Sequence, residues 1–214
     1  MIYEATLIFD FDGTLADSFQ IHLDIFNQLT IKHRRRPLNE NEIEQFKQLS
    51  MRDFIKQQKI PLWQLPSLIK EARTIQQTQH LEPKIFPPLT KIVPALATQY
   101  KLGILTSNTS ANVERFLNHH NLSKHFRFVD AEPDLFGKHH KLKKLIKQYK
   151  LNPAETAYVG DEVRDIEAAR LAGIKMIAVS WGFNSASALK EAKPNLLLKS
   201  PSDLSSLLNK KLMA

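Results

Sequence analysis

The chain contains no cysteine. That excludes a disulfide-stapled scaffold, a thiolate metal centre and a cysteine nucleophile, and it is compatible with a reducing compartment. Glycine is scarce, with 6 in 214 residues beside 11 prolines, which excludes collagen-like and Gly/Pro-rich low-complexity chains. No stretch approaches the roughly 18 apolar residues of a membrane-spanning helix. The start, Met1-Ile2-Tyr3-Glu4-Ala5-Thr6-Leu7, lacks the basic segment and apolar run of a secretion signal. The expectation is a soluble, cytoplasmic protein with no membrane partner.

Hydrophobic residues make up 43% of the chain and charged residues 24%, fractions of an ordinary globular protein. The length suits one unit, or a main domain with a smaller insert. Lys and Arg number 30 against 22 Asp and Glu, a net charge of +8. The excess is uneven. Residues 1–16 carry Glu4, Asp10 and Asp12 and no Lys or Arg, whereas His33-Arg34-Arg35-Arg36 and the segment Lys138 to Lys150 are strongly basic. In the second segment Leu142, Leu145, Ile146 and Tyr149 fall at helical spacing, so its lysines line the solvated side of an amphipathic helix. No aromatic residues interleave with them as a base-stacking platform requires, which argues against a nucleic-acid partner. A basic surface also attracts anionic small molecules.

Short apolar runs recur along the chain: Ala5 to Phe9, Lys101 to Thr106, Phe126 to Asp130, Thr156 to Val159, Ile174 to Ser180 and, more weakly, Asn195 to Leu198. Helical patterns lie between them, near 88–99, 110–120, 138–149 and 164–172, with a last one from Ser202 to Asn209. Strands alternating with helices predict an α/β fold: a Rossmann-like parallel sheet with helices on both faces. Residues 18–85 break the rhythm. They show no strand pattern and three helical stripes, through Phe19, Leu23, Phe26 and Leu29, through Ile43, Phe46 and Leu49, and through Leu65, Leu68, Ile69, Ala72 and Ile75. The expected division is a core of residues 1–16 and 87–214 with an all-helical insert over 17–86.

Asp10 and Asp12 follow the first apolar run. Residues two apart in extended chain project to one side, and Gly13 permits the positive φ of a turn just past a strand. Two carboxylates in one place repel unless a cation neutralises them or one keeps its proton. They suit a hard divalent cation, magnesium first, or a division of labour between nucleophile and acid/base. The alternative is a solvated turn in which Asp12 caps and Asp10 merely ends a strand.

Gly160-Asp161-Glu162-Val163-Arg164-Asp165 repeats the pattern. Asp161 belongs at a strand's carboxyl end, and Asp165 in the first turn of the next helix. Asp165 or Glu162 can also serve there simply as an acid at a helix N-terminus. Open parallel sheets hold ligands at the carboxyl ends of their strands, so Asp10, Asp12 and Asp161 are expected around one cation. A third strand end, Thr106-Ser107-Asn108-Thr109-Ser110, supplies hydroxyls, a short amide and a helix N-terminus suited to phosphate, with Ser110 or Thr109 as the helix cap. Lys138 opens a helix, where its charge opposes the dipole; balancing a phosphate and carboxylates would account for it. His119-His120 and His139-His140 read as surface pairs.

The segments Asp10-Phe11-Asp12-Gly13-Thr14-Leu15, Leu105-Thr106-Ser107-Asn108, Lys138 and Gly160 to Asp165 resemble, in order, the four motifs of the haloacid dehalogenase superfamily. A helical insert after the first motif resembles its members with an all-helical cap, the phosphoglycolate phosphatase-like hydrolases most closely. The resemblance implies that Asp10 attacks a phosphate monoester and that Asp12 protonates the leaving oxygen and then activates water. It implies that magnesium is held by the Asp10 carboxylate, the Asp12 backbone carbonyl and Asp161, with Asp165 as an auxiliary. Thr106 or Ser107, with Asn108, would bind phosphoryl oxygens beside Lys138. Phe86-Pro87-Pro88-Leu89 carries proline where members commonly carry glycine, which implies a stiffer hinge.

A phosphomutase would share all these residues. A 2-haloacid dehalogenase would need neither the acid Asp12 nor a metal, and a non-enzymatic nucleic-acid-binding protein would need no intact acids. The expected partner is therefore a small-molecule phosphate ester. Phe19, His22, Arg52 and Arg73 are the candidate contacts from the insert, and nothing in the sequence bears on oligomeric state.

Overall fold

The apolar runs pair as one six-stranded parallel sheet in the computed structural model, which describes residues 5–131 and 137–208. Two N-terminal strands, β1 (Thr6–Phe9) and β2 (Ala16–Asp17), precede four helices, α1 (Phe19–Lys32), α2 (Glu40–Gln48), α3 (Met51–Gln57) and α4 (Leu65–Thr78). Then come β3 (Lys84–Ile85), α5 (Leu89–Leu96), β4 (Lys101–Thr106), α6 (Ser110–His119), β5 (Phe126–Ala131) and α7 (Lys138–Gln148). The chain continues through β6 (Thr156–Gly160), α8 (Val163–Ala172), β7 (Lys175–Val179), α9 (Ala186–Glu191) and β8 (Leu196–Leu198), and turns of 3-10 helix follow over Pro201–Leu208.

The spatial order is β5-β4-β1-β6-β7-β8. The chain winds outward from β1 through β4 and β5, then returns to β6 on the other flank. β1 is where the winding reverses, and residues just past it stand over the crevice in which such sheets hold ligands.

Strand period dictates the two cores. Leu7, Phe9, Leu102, Ile104, Ala157, Val159, Ile177 and Val179 point to one face, where α5, α6 and the closing 3-10 turns cover them. Ile8, Leu105, Tyr158, Met176 and Ala178 point to the other, under α7, α8 and α9. Each fully buried aliphatic side chain contributes about 1.5–3 kcal/mol, so the strand ends are held by a core on both sides.

Two expectations need correction. Lys84 and Ile85 are not strand-free: they pair antiparallel with Asp17 and Ala16 and close the root of the helical insertion. A two-residue strand is too short to show alternation. The segment after Ser200 forms 3-10 turns rather than an α-helix. Its serines compete for the backbone, with Ser205 Oγ donating to the Ser202 carbonyl at 2.7 Å, and Asp203 accepts from the Lys199 and Ser200 amides at 2.9 Å each. The expected end of that helix, Asn209, and Glu4 lie outside the described residues.

The helical insertion is tied to the sheet away from its root. Beyond β7, buried Asn184 donates through Nδ2 to the carbonyls of Lys47 (3.1 Å) and Leu49 (2.9 Å) at the C-terminal end of α2. Its Oδ1 accepts from the Val163 amide that opens α8, at 2.9 Å. Ser185 adds a bond from its amide to the Lys47 carbonyl, at 2.8 Å. Asn184→Ala orphans these groups and is expected to cost about 1–3 kcal/mol. Amide exchange should then accelerate selectively around residues 47–57; unchanged protection there would show that Asn184 does not fasten the insertion.

Candidate active site

Asp10 follows β1 directly and stays in register with the sheet, its amide donating to the Val159 carbonyl at 2.8 Å. Its Oδ1 accepts from the Phe11 amide at 2.8 Å, and its Oδ2 from Lys138 Nζ at 2.7 Å. Lys138 is the first residue of α7, and the same ammonium reaches Asp165 Oδ1 at 2.6 Å. Asp165 also accepts the Glu162 amide at 3.0 Å, so it caps α8 while turning its other oxygen to the lysine. Asp161, just past β6, accepts from Thr14 Oγ1 and from the Phe183 amide, both at 2.8 Å.

Carboxylate oxygens of Asp10, Asp161 and Asp165 lie within 4.8 Å of one another, the one place among the described residues where three metal-ligating side chains converge. The trio is completed by Asp165; the Asp12 side chain turns elsewhere. Asp12 Oδ2 accepts from Asn108 Nδ2 at 2.8 Å. Its Oδ1 is buried without a hydrogen bond, 4.0 Å from His22 Nε2. Asp10 and Asp12 nevertheless line one cavity with Thr106, Ser107 and Asn108.

Thr106 is buried, with its hydroxyl accepting the Asn108 amide at 3.1 Å. Ser107 is half-buried, and its carbonyl accepts from Arg73 at 3.5 Å. Thr109, not Ser110, caps α6. Phe19, His22 and Arg73 line the cavity; Arg52 is exposed on α3 and does not.

Sequence reasoning overlooked the segment after β7. Trp181 Nε1 donates to the Thr14 carbonyl at 3.2 Å, and the Phe183 amide holds Asp161. The signal was there: Gly182 follows an apolar run just as Gly13 and Gly160 do. A Cβ at Gly13, where φ is +74°, or at Gly182 would come within 2.2 Å of Asp161 Oδ2. Thr14, within the first motif, has the task of donating its hydroxyl to Asp161.

Electrostatics set what this cluster accepts. With all three carboxylates ionised, Lys138 would balance one and leave two negative charges in a poorly solvated place, the nearby Arg164 being paired with Glu162. Burial pushes the Asp10 carboxyl up to about 7; Asp165 adds to the rise and Lys138 opposes it. Asp161 is driven well above the usual carboxylate range by burial and by Glu162, Asp165 and Asp10. Burial works against the Lys138 charge, yet Asp10 and Asp165 hold its pKa well above the ordinary lysine value. An all-oxygen set with two charges uncompensated fits a hard divalent cation.

A parallel α/β sheet carrying an acid cluster and a lysine at its carboxyl edge is the arrangement that the haloacid dehalogenase resemblance implies. Residues 7–179 match the family described as haloacid dehalogenase-like hydrolase, and the chain belongs to that family. It is 36% identical over 201 residues to the phosphoglycolate phosphatase of Synechococcus elongatus, across 92% of this chain and 94% of the relative. It is 29% identical over 219 residues to pyrophosphatase PpaX of Bacillus mycoides, across 96% and 97%. Among solved structures, a predicted phosphatase from Clostridium acetobutylicum shares the fold with a TM-score of 0.83 at 18% identity, covering 97% of this chain and 99% of that one.

The raised Asp10 pKa links stability to pH. Between the ordinary Asp value of 3.8 and about 7, folded Asp10 keeps a proton that the unfolded chain has released. Its contribution to stability is full below that window and is lost as the pH rises through it. Without metal, Asp10→Asn should therefore gain on the wild type in melting temperature between pH 5 and 8. A constant difference across that range would refute the titration. A second variant tests the packing: Gly182→Ala should displace Asp161 and weaken divalent-cation binding at least about tenfold by calorimetry.

Proposed function

We propose that this chain is a magnesium-dependent phosphatase that hydrolyses a small-molecule phosphate monoester through an aspartyl-phosphate, the class to which the phosphoglycolate of its Synechococcus relative's name belongs. The observation that carries the reading is the pairing of Asp10, gripped by Lys138 beside two further carboxylates, with Asp12, which lines the same cavity and whose Oδ1 is buried without a hydrogen bond. Residues 1–16 and 87–214 would be the hydrolase core, and 17–86 the helical cap.

An oxygen of the Asp10 carboxylate attacks phosphorus, and the bond from phosphorus to the alcohol oxygen breaks. Asp12, as acid, gives its proton to that leaving oxygen. Asp12, now a carboxylate, takes a proton from water; the oxygen of that water attacks phosphorus, the bond to Asp10 breaks and inorganic phosphate leaves. Splitting one displacement into two through a carboxylate is ordinary nucleophilic catalysis.

Lys138 neutralises charge on Asp10 and the phosphoryl group. Thr106 or Ser107, with Asn108, holds phosphoryl oxygens, and the amides opening α6 add donors. Asp10, Asp161 and the Asp12 backbone carbonyl would hold magnesium, with Asp165 in support through its bonds to Lys138 and the Glu162 amide. When bound, the ion supplies positive charge to the phosphoryl oxygens. The soluble, cytoplasmic setting remains part of this proposal; among the described residues no helix is long and apolar enough to cross a membrane.

The test is phosphate release from a panel of monoesters that includes phosphoglycolate, with pyrophosphate added because a relative bears that name. Wild type should turn over with magnesium and not in a chelator. Asp10→Asn should lose at least about a hundredfold, as removal of a covalent nucleophile does. Asp12→Asn should lose about a hundredfold or more, the usual worth of a general acid/base. Undiminished turnover by Asp10→Asn would eliminate the mechanism.

A further inference from the structure

The cavity that begins at Asp10 and Asp12 does not end there. It continues between the four helices of the insertion and encloses about 980 Å³. That is the upper end of the roughly 300–1,000 Å³ range that receives drug-sized ligands, and far more than a two-carbon acid needs.

One wall is a run of phenylalanine rings leading away from the carboxylates. Phe183, whose amide holds Asp161, packs edge-on against Phe19 at 5.4 Å between centroids. Phe19 stacks on Phe46 at 6.2 Å, Phe46 meets Phe54 at 4.5 Å, and Phe54 meets Phe26 at 5.3 Å. All five line the cavity, and Leu68 of α4 lines it as well. The three long cationic side chains on its wall are engaged at their heads: Arg35 donates to the Gln58 carbonyl, Arg73 to the Ser107 carbonyl and Arg164 to the Glu162 carboxylate. Few apolar side chains of the four helices are buried, namely Ile25, Leu29, Phe54, Ile55 and Leu65, and each keeps some exposure. The space these helices surround is a chamber, and apolar walls facing a void forgo the contacts a filled core would have.

The chamber is acidic and phosphate-binding at one end and hydrocarbon at the other. We propose that the substrate has the same polarity: a phosphate monoester of a hydrophobic alcohol, its phosphate at Asp10 and its apolar body along the phenylalanine wall. The proposal rests on the phosphatase reading for the chemistry at the phosphate, and on the chamber alone for the alcohol. No oxidant is involved: the alcohol leaves with the proton from Asp12, and water then takes its place on phosphorus.

The experiment compares kcat/KM for methyl, butyl and octyl phosphate with that for phosphoglycolate, with magnesium and below micelle-forming concentrations. Burial of each methylene is worth up to about fourfold, so octyl phosphate should exceed methyl phosphate at least about a hundredfold and should surpass phosphoglycolate. A flat series, or phosphoglycolate as the better substrate, would overturn the proposal. Calorimetric binding of methyl-, butyl- and octylphosphonate, which cannot be hydrolysed, reads the chamber independently of turnover. Affinity rising with length while no ester is cleaved would sink the phosphatase reading and leave the chamber standing; equal affinities would sink the chamber. Ala72→Trp places an indole inside the cavity and should cut the octyl-to-methyl affinity ratio at least about tenfold. A ratio unchanged in the folded variant would refute the location.

Discussion

The ammonium of Lys138, wedged between Asp10 and Asp165 in a place with almost no access to water, is the constraint on which the site depends. A buried carboxylate is costly unless it is paired and hydrogen-bonded, and one lysine cannot compensate three. The protein meets part of the cost with directed bonds: the Phe11 amide on Asp10, Thr14 and the Phe183 amide on Asp161, and the Glu162 amide on Asp165. The rest stays uncompensated, and it appears as carboxyl groups held above their usual range. A site in that condition has a strong preference for any added positive charge. The same feature that destabilises the cluster at neutral pH gives it affinity for a divalent cation.

The parallel sheet makes such a cluster possible. Four strands of different sequence distance end at one edge, and the reversal of winding at β1 leaves room above Asp10. The turn after β1 then folds back tightly, with Gly13 donating to the Ala16 carbonyl at 2.8 Å. That return brings Thr14 onto Asp161, 147 positions away in the chain. It also begins the short ribbon with β3, from which the helical insertion departs. Position of the acids and position of the insertion are therefore consequences of one turn.

Much of this was legible in the sequence because the signals were local. Each central strand is a short apolar run, and each acid stands at the end of one, so Asp10, Asp12 and Asp161 could be placed before any contact was known. Lys138 could be singled out because a lysine opposes the dipole at a helix start. What escaped was information carried by the backbone or by very short elements. The two-residue ribbon has no alternation to read. Asp165 carried two compatible roles, helix cap and cluster member, and only its two oxygens facing different partners show that it performs both. Phe183 acts on Asp161 through its amide, which any residue possesses. The closing 3-10 turns have leucines at helical spacing, and their serines decide the outcome instead.

The two ends of the cavity are specified by different kinds of interaction. At the chemical end, hydrogen bonds of 2.6–2.8 Å onto the carboxylates admit no rearrangement without loss of a bond. At the other end, the wall is made of hydrocarbon contacts, which are non-directional and can be exchanged one side chain at a time. A family built this way can keep one phosphoryl chemistry while the alcohol it accepts changes with the insertion. The phenylalanines of this chain are therefore informative about its own substrate in a way that the carboxylates, shared by the reaction itself, are not.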